Sequence, residues 1–206
     1  DLTEFIKYFW DSISSDNLQW NWHIDYLCEN LSKVAGQVAE GRQKEYDLIV
    51  NIPPGTTKSI TMSVMFPVWC WTNWPWMRFI ASSYSGALAL EQAELSRELV
   101  RSDKFKMLYP EIRVKRDKDT KSNFKIEIKK KGRVAPYIGG NRYSTSVGGT
   151  LTGFHGHILI VDDPLDPNRA VSETELDSAN RWIDQTLSTR KIDKGVTPTI
   201  LIMQRL

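Results

Sequence analysis

The sequence predicts an α/β fold of three layers, a mainly parallel central sheet flanked by helices. Three observations predict it. The apolar run Leu48-Ile49-Val50 leads through Asn51-Ile52-Pro53-Pro54-Gly55-Thr56-Thr57 into Lys58-Ser59; the four apolar residues from Ile158 to Val161 end in Asp162-Asp163-Pro164; and Thr199-Ile200-Leu201-Ile202-Met203 is followed at once by Gln204-Arg205. Each is a short, largely aliphatic run suited to a buried parallel strand. Each also presents polar residues past its C-terminal end, where ligands bind in open α/β sheets.

The first strand is expected over 47–52. The loop after it passes from a strand into a helix, so its backbone N–H groups can point at phosphate oxygens while Lys58 adds a charge and Ser59 a hydroxyl for Mg²⁺. The common pattern G-x-x-x-x-G-K-S/T asks for glycine where this chain has Ile52 and Thr57, which leaves Gly55 as the one glycine of the loop. The helix after the loop is expected to end before a turn at Asn73-Trp74-Pro75, with a second strand from Arg78 to Ser82. Leu88, Leu95 and Leu99 then mark an amphipathic helix from after Ser85 to near Ser102-Asp103. The segment from Phe124 to Arg133 alternates like a half-buried strand and turns at Gly132.

The strand expected over 157–161 presents Asp162 and Asp163 at its end. Mg²⁺ between terminal phosphates needs the Ser59 hydroxyl and a nearby carboxylate, which Asp162 supplies directly or through water. Asp163 would then orient or deprotonate the attacking water. Leu176, Ala179, Ile183 and Leu187 mark another helix. The last strand, 199–203, brings Gln204 to a position where its amide can touch a terminal phosphate or its water.

The 206 residues suit a single α/β domain with a substantial core. Cys28 and Cys70 make no disulfide framework and share no metal spacing with the three histidines, so buried free thiols are expected. The longest apolar stretch, 64–81, is broken by Pro67, Asn73, Pro75 and Arg78, which argues against a membrane span. Net charge is only +2, yet from 101 to 133 basic residues exceed acidic ones by eight, whereas from 162 to 193 acidic ones exceed basic ones by four. Such asymmetry can mark a face that tracks phosphates, with Lys129, Lys130 and Lys131 at its sharpest point, or a charged edge strand.

The order P-P-G-T-T-K-S, L-T-G-F-H-G-H-I-L-I-V-D-D-P and I-L-I-M-Q-R-L resembles the ATPase domain of the large terminase subunit of tailed bacteriophages, the motor of viral DNA packaging. The likeness continues through Trp22-His23, Ala81-Ser82-Ser83-Tyr84-Ser85 and Arg181-Trp182 to Arg190. It implies a P-loop NTPase fold of the ASCE type, ATP and Mg²⁺ as ligands, and hydrolysis coupled to translocation of double-stranded DNA into a procapsid. By resemblance, Pro54, Gly55, Thr56, Thr57, Lys58 and Ser59 hold phosphates, Ser59 and Asp162 the metal, and Asp163 is catalytic. Gln204 couples nucleotide state to movement, and Gln19 and Trp22 lie near the base. Relatives often carry a basic residue in the glycine-rich loop where Phe154 stands here, and Arg142 is the candidate for the role of an arginine finger. Many relatives also carry Gly where this chain has Thr57 and Glu where it has Asp163.

The resemblance further implies a portal protein and a small terminase subunit as partners, a homo-oligomeric ring, a pentamer, on the procapsid, and the host cytoplasm as the location. The absence of an initiator Met and the stop soon after Met203 give the expectation of an excised N-terminal motor part, 1–206, without the family's nuclease domain. Two other readings compete: a helicase-like nucleic-acid ATPase, and a non-hydrolysing DNA-binding or assembly module with a degenerate loop.

Overall fold

The computed structural model describes residues 1–115, 120–129, 132, 136–166 and 172–204. The N-terminal part forms α1 (Leu2–Phe9), with Asp1 accepting from the Thr3 N–H, and α2 (Trp22–Ala39), which Asn21 caps by accepting from the Trp22 N–H at 2.8 Å. Strand β1 (Leu48–Asn51) feeds the glycine-containing loop. The helix behind it starts as a π-helical turn (Ile60–Met65) and continues as α3 (Phe66–Asn73), with Pro67 in its first turn. Then come β2 (Arg78–Ser83), α4 (Gly86–Arg101) and α5 (Asp103–Leu108). Strands β3 (Ile112–Val114), β4 (Asn123–Ile128) and β5 (Tyr137–Ser146) precede β6 (Ile158–Asp162), α6 (Glu173–Arg181) and β7 (Thr199–Met203).

The seven strands make one sheet in the order β1-β7-β6-β2-β5-β4-β3. The first five are mutually parallel, and β4 and β3 add to β5 in antiparallel fashion. Because β7 lies between β1 and β6, the residues after β7 fall between the loop after β1 and the acids after β6. One face carries Phe79, Ala81, Ile160, Ile202, Phe124 and Ile126 against α1 to α5. The other carries Ile80, Leu159 and Val161 against Leu151, Trp182 and Leu187. The expected strands at 47–52, 78–82, 157–161 and 199–203 are all present within a residue or two of those bounds, as are the helices after Ser85 and around Ala179. Cys28 and Cys70 are buried free thiols. No helix among the described residues is long and apolar enough to cross a membrane.

One strand departs from the sequence reading. Gly139-Gly140-Asn141-Arg142-Tyr143, for which no strand is expected, lies inside the ten-residue β5 between β2 and β4. The glycines serve close approach rather than a turn: a Cβ on Gly140 would sit 1.7 Å from the Met77 carbonyl oxygen, and the Gly140 N–H donates to Pro75 O at 2.6 Å.

Candidate functional site

The loop after β1 is built around two left-handed residues, Gly55 (φ 74°) and Thr57 (φ 59°). A β-branched residue in that region is strained by roughly 1–2 kcal/mol. Thr56 Oγ1 donates back to Pro53 O at 2.8 Å, and His23 on α2 bonds the Thr56 carbonyl at 3.2 Å, so the loop is braced from inside and from the next layer. This leads Lys58 into the sheet edge, where it is only 6% exposed.

The acids are held differently. Asp162 is buried and accepts from Ser59 Oγ at 3.2 Å on one oxygen, and from Ser63 Oγ at 2.8 Å and Gln92 Nε2 at 2.7 Å on the other. Burial pushes its carboxyl above the ordinary range, the Ser63 and Ser59 hydrogen bonds oppose that, and the charge of Asp163 adds to it. Asp163 is a second strained residue, with φ 44°. Its N–H donates to Ile202 O at 2.8 Å, its carbonyl accepts from the Tyr84 N–H at 2.9 Å, and its Oδ1 accepts from the Gln204 N–H at 3.2 Å. The free Oδ2 side lies 3.9 Å from Lys58 Nζ. A strained carboxylate held from the two strands beside its own and facing a lysine in a cleft has the marks of a functional group.

The cleft has a volume of about 550 Å³, within the range of small-ligand sites. Pro54 through Ser59, Asp163 and Gln204 line it on the sheet side, and Trp10, Asp16, Asn17 and Gln19 line it on the other. Asp162 lies beneath Ser59. The sequence-predicted residues Pro54, Gly55, Thr56, Thr57, Lys58, Ser59, Asp162, Asp163, Gln204 and Gln19 are therefore brought together.

Two predicted residues are not. Trp22 is 74% exposed at the start of α2 and does not line the cleft; Trp10 is the indole that does. Arg142 is fully buried in β5, so it cannot extend to a neighbouring molecule, and its reading as an arginine finger is overturned. The cause lies in the helix beside it. Pro67 has no N–H to offer the Ser63 carbonyl one helical turn back, and Arg142 Nη1 donates to that carbonyl instead and to Ser96 Oγ at 3.2 Å. Burial lowers the pKa of its guanidinium to about 9, against the pull of Asp162.

Ser63 and Gln92 escaped the sequence reading. Ser63 could have been found, because it follows Ser59 by four residues and so shares its helix face. Gln92 could not, because nothing local says that α4 turns this residue toward β6. Of the basic stretch, Lys129 is exposed, whereas Lys130, Lys131 and Arg133, like Arg205 after Gln204, lie outside the described residues.

No protein-family model and no curated protein matches the sequence. Among solved structures, the ATPase domain of the large terminase of Thermus phage P74-26 aligns at a TM-score of 0.53 with 13% identity, over 83% of this chain and 66% of that one. A point variant of the same domain aligns at 0.53 with 14% identity, over 83% of this chain and 67% of that one. The aligned part thus spans about two thirds of those chains, and at this identity the likeness is one of fold.

Proposed function

We propose that this chain, which has the fold of a phage large terminase ATPase domain, is an ATP-hydrolysing motor module of that family. The observation that carries the reading is the pairing across the cleft of Lys58 with Asp163 at 3.9 Å and of Ser59 with Asp162 at 3.2 Å. Lys58 and the loop N–H groups hold the terminal phosphates, the lysine as a point charge. Asp163, aimed by the Gln204 N–H, accepts a proton from the attacking water or fixes its approach. Release of that hydrogen bond would pass nucleotide state to β7.

The donor set suits Mg²⁺. Ser59 Oγ and the Asp162 carboxylate are hard oxygen donors, and no cluster of three or more His, Cys, Asp or Glu exists among the described residues to form an all-protein cage. Mg²⁺ characteristically keeps waters and substrate phosphates in its shell. When bound, it would neutralise charge on the phosphate oxygens. Ser63 and Gln92 both donate to Oδ2 of Asp162 while Oδ1 takes only the Ser59 hydroxyl, so this carboxylate keeps acceptor capacity for Mg²⁺, directly or through water.

Translocation of double-stranded DNA into a procapsid, assembly as a ring with portal and small subunit, and action in the host cytoplasm belong to the same proposal, carried by the fold likeness and the motif order. The test is Mg·ATP turnover by this chain with and without duplex DNA. Hydrolysis that depends on Lys58 and Asp163 supports the proposal, and strand separation by the same protein would favour a helicase-like ATPase.

A further inference from the structure

The second face of the sheet is covered over β7, β6, β2 and Tyr143 of β5, and among the described residues the second apolar cluster leaves β4 and the part of β5 before Tyr143 bare. Along β4 the residues Phe124, Ile126 and Ile128 turn into the helix layer, while Asn123, Lys125 and Glu127 turn the other way. Lys125 stands in register with Asn141, and Asn141 with Arg78, so one row across three adjacent strands carries two cations flanking an amide. At ordinary strand spacing, Arg78 and Lys125 are about 10 Å apart at the backbone, a span their side chains can close onto one anion. Asn141 Nδ2 also donates to Asn123 Oδ1 at 3.3 Å, which fixes the amide floor.

A wall converts this bare face into a cavity of about 580 Å³. Trp76 meets His157 edge to face at 4.8 Å, and Phe154 stacks on Tyr143 at 3.7 Å. His157 Nδ1 accepts from the Arg78 N–H at 2.9 Å. Burial and the Arg78 charge lower its pKa to about 4, so at neutral pH the ring is uncharged and Nε2–H remains as a donor. No carboxylate is among the described residues lining the cavity, and neither Arg78 nor Lys125 forms a salt bridge among the described residues. Two cations with no salt bridge among the described residues, beside exposed aromatic edges, select an anion that also carries a flat ring.

We propose that this cavity binds one nucleotide unit, its phosphate on Arg78 and Lys125 and its base against Trp76, at a site separate from the Lys58 cleft. The unit comes from a free nucleotide or from the unpaired part of a nucleic-acid strand. The inference rests on this face alone and does not require the cleft to hydrolyse ATP.

The test uses the Lys58→Ala protein, in which the first cleft binds nucleotide more weakly, and the Arg78 and Lys125 variants assign the remaining signal to this cavity. AMP, a fluorescent short oligothymidylate and a duplex of the same length are titrated separately, with tryptophan quenching and anisotropy as signals. The expected result is binding of AMP or of the single strand, weakened about ten-fold or more by Arg78→Gln with Lys125→Gln and about ten-fold by Trp76→Leu. For the strand, the slope of log K against log salt should also fall by about 1.4 in the double variant. Equal affinity for AMP and the strand identifies the free nucleotide; much tighter binding of the strand identifies nucleic acid. Binding of neither, binding of the duplex alone, or unchanged affinity in the double variant overturns the proposal. If the double variant melts early, Arg78→Lys with Lys125→Arg, which keeps both charges, must retain binding, and its loss there also counts against the site.

Discussion

The ammonium of Lys58 stands 3.9 Å from Oδ2 of Asp163, joining the loop after β1 to the end of β6 across the cleft. Both residues are held from elsewhere, Lys58 by a loop with two left-handed residues and Asp163 by backbone bonds to β7 and Tyr84. The strands that hold them are not sequence neighbours, so the pair reports on the whole parallel part of the sheet.

Thr57 at φ 59° implies a local cost that glycine would not carry. Thr57→Gly should leave Mg·ATP binding equal or tighter, because the loop keeps its shape and loses only the strain of a β-branched residue. Measured affinities of the two proteins check this; a large loss of affinity would mean that the Thr57 side chain itself holds ligand.

Gln92 donates to Asp162 from α4, outside the sequence motif. Outer-shell partners of metal-ligating carboxylates typically account for about 10–100-fold in metal affinity, and Gln92→Ala should weaken Mg²⁺-dependent ATP binding to that degree. Metal-free ATP binding should change little. A fluorescent ATP analogue titrated with and without Mg²⁺ separates the two.

Asp162 is charged at a cost, since burial raises its pKa above the ordinary 3.8. A raised folded-state pKa in an acid means that ionisation disfavours the fold above that pKa, and that the penalty is gone below the ordinary value. Asp162→Asn should therefore melt higher than the parent at pH 7, with the difference shrinking as pH falls toward 4. Thermal melts across that range check it, and a difference constant with pH would contradict the assignment.

Arg142 is internal, so its loss should act on stability rather than on contacts between molecules. Arg142→Ala removes a buried guanidinium and strands the Ser63 carbonyl, which should cost about 3 kcal/mol, or about 6–12 °C in melting temperature for a chain of this size. An unchanged melting temperature in the monomer, with turnover lost only in an assembly, would restore the reading of Arg142 as a finger.

Four of the five parallel strands and the residues at their ends were legible in the sequence because aliphatic runs such as Ile158 to Val161 suit burial on both faces. Lys58, Ser59, Asp162, Asp163 and Gln204 followed from their places just beyond those runs. β5 was not legible, because Gly139-Gly140 carries a local turn signal whose real cause is the approach of Pro75 and Met77 from another part of the chain. Gly140→Ala should accordingly prevent the native fold, which circular dichroism and proteolysis would register. Gln92, Trp10 and the burial of Arg142 were hidden for the same reason: each depends on how a helix is turned against the sheet, which no local pattern encodes.

The most direct measurement is Mg·ATP binding and turnover by the parent protein, Lys58→Ala and Asp163→Asn in parallel. The motor reading predicts binding weakened about 10–100-fold in Lys58→Ala, and binding kept with turnover down about 10²–10⁴-fold in Asp163→Asn. Equal binding and equal turnover in all three proteins would contradict it, and would leave the cleft as a feature of the fold without the chemistry.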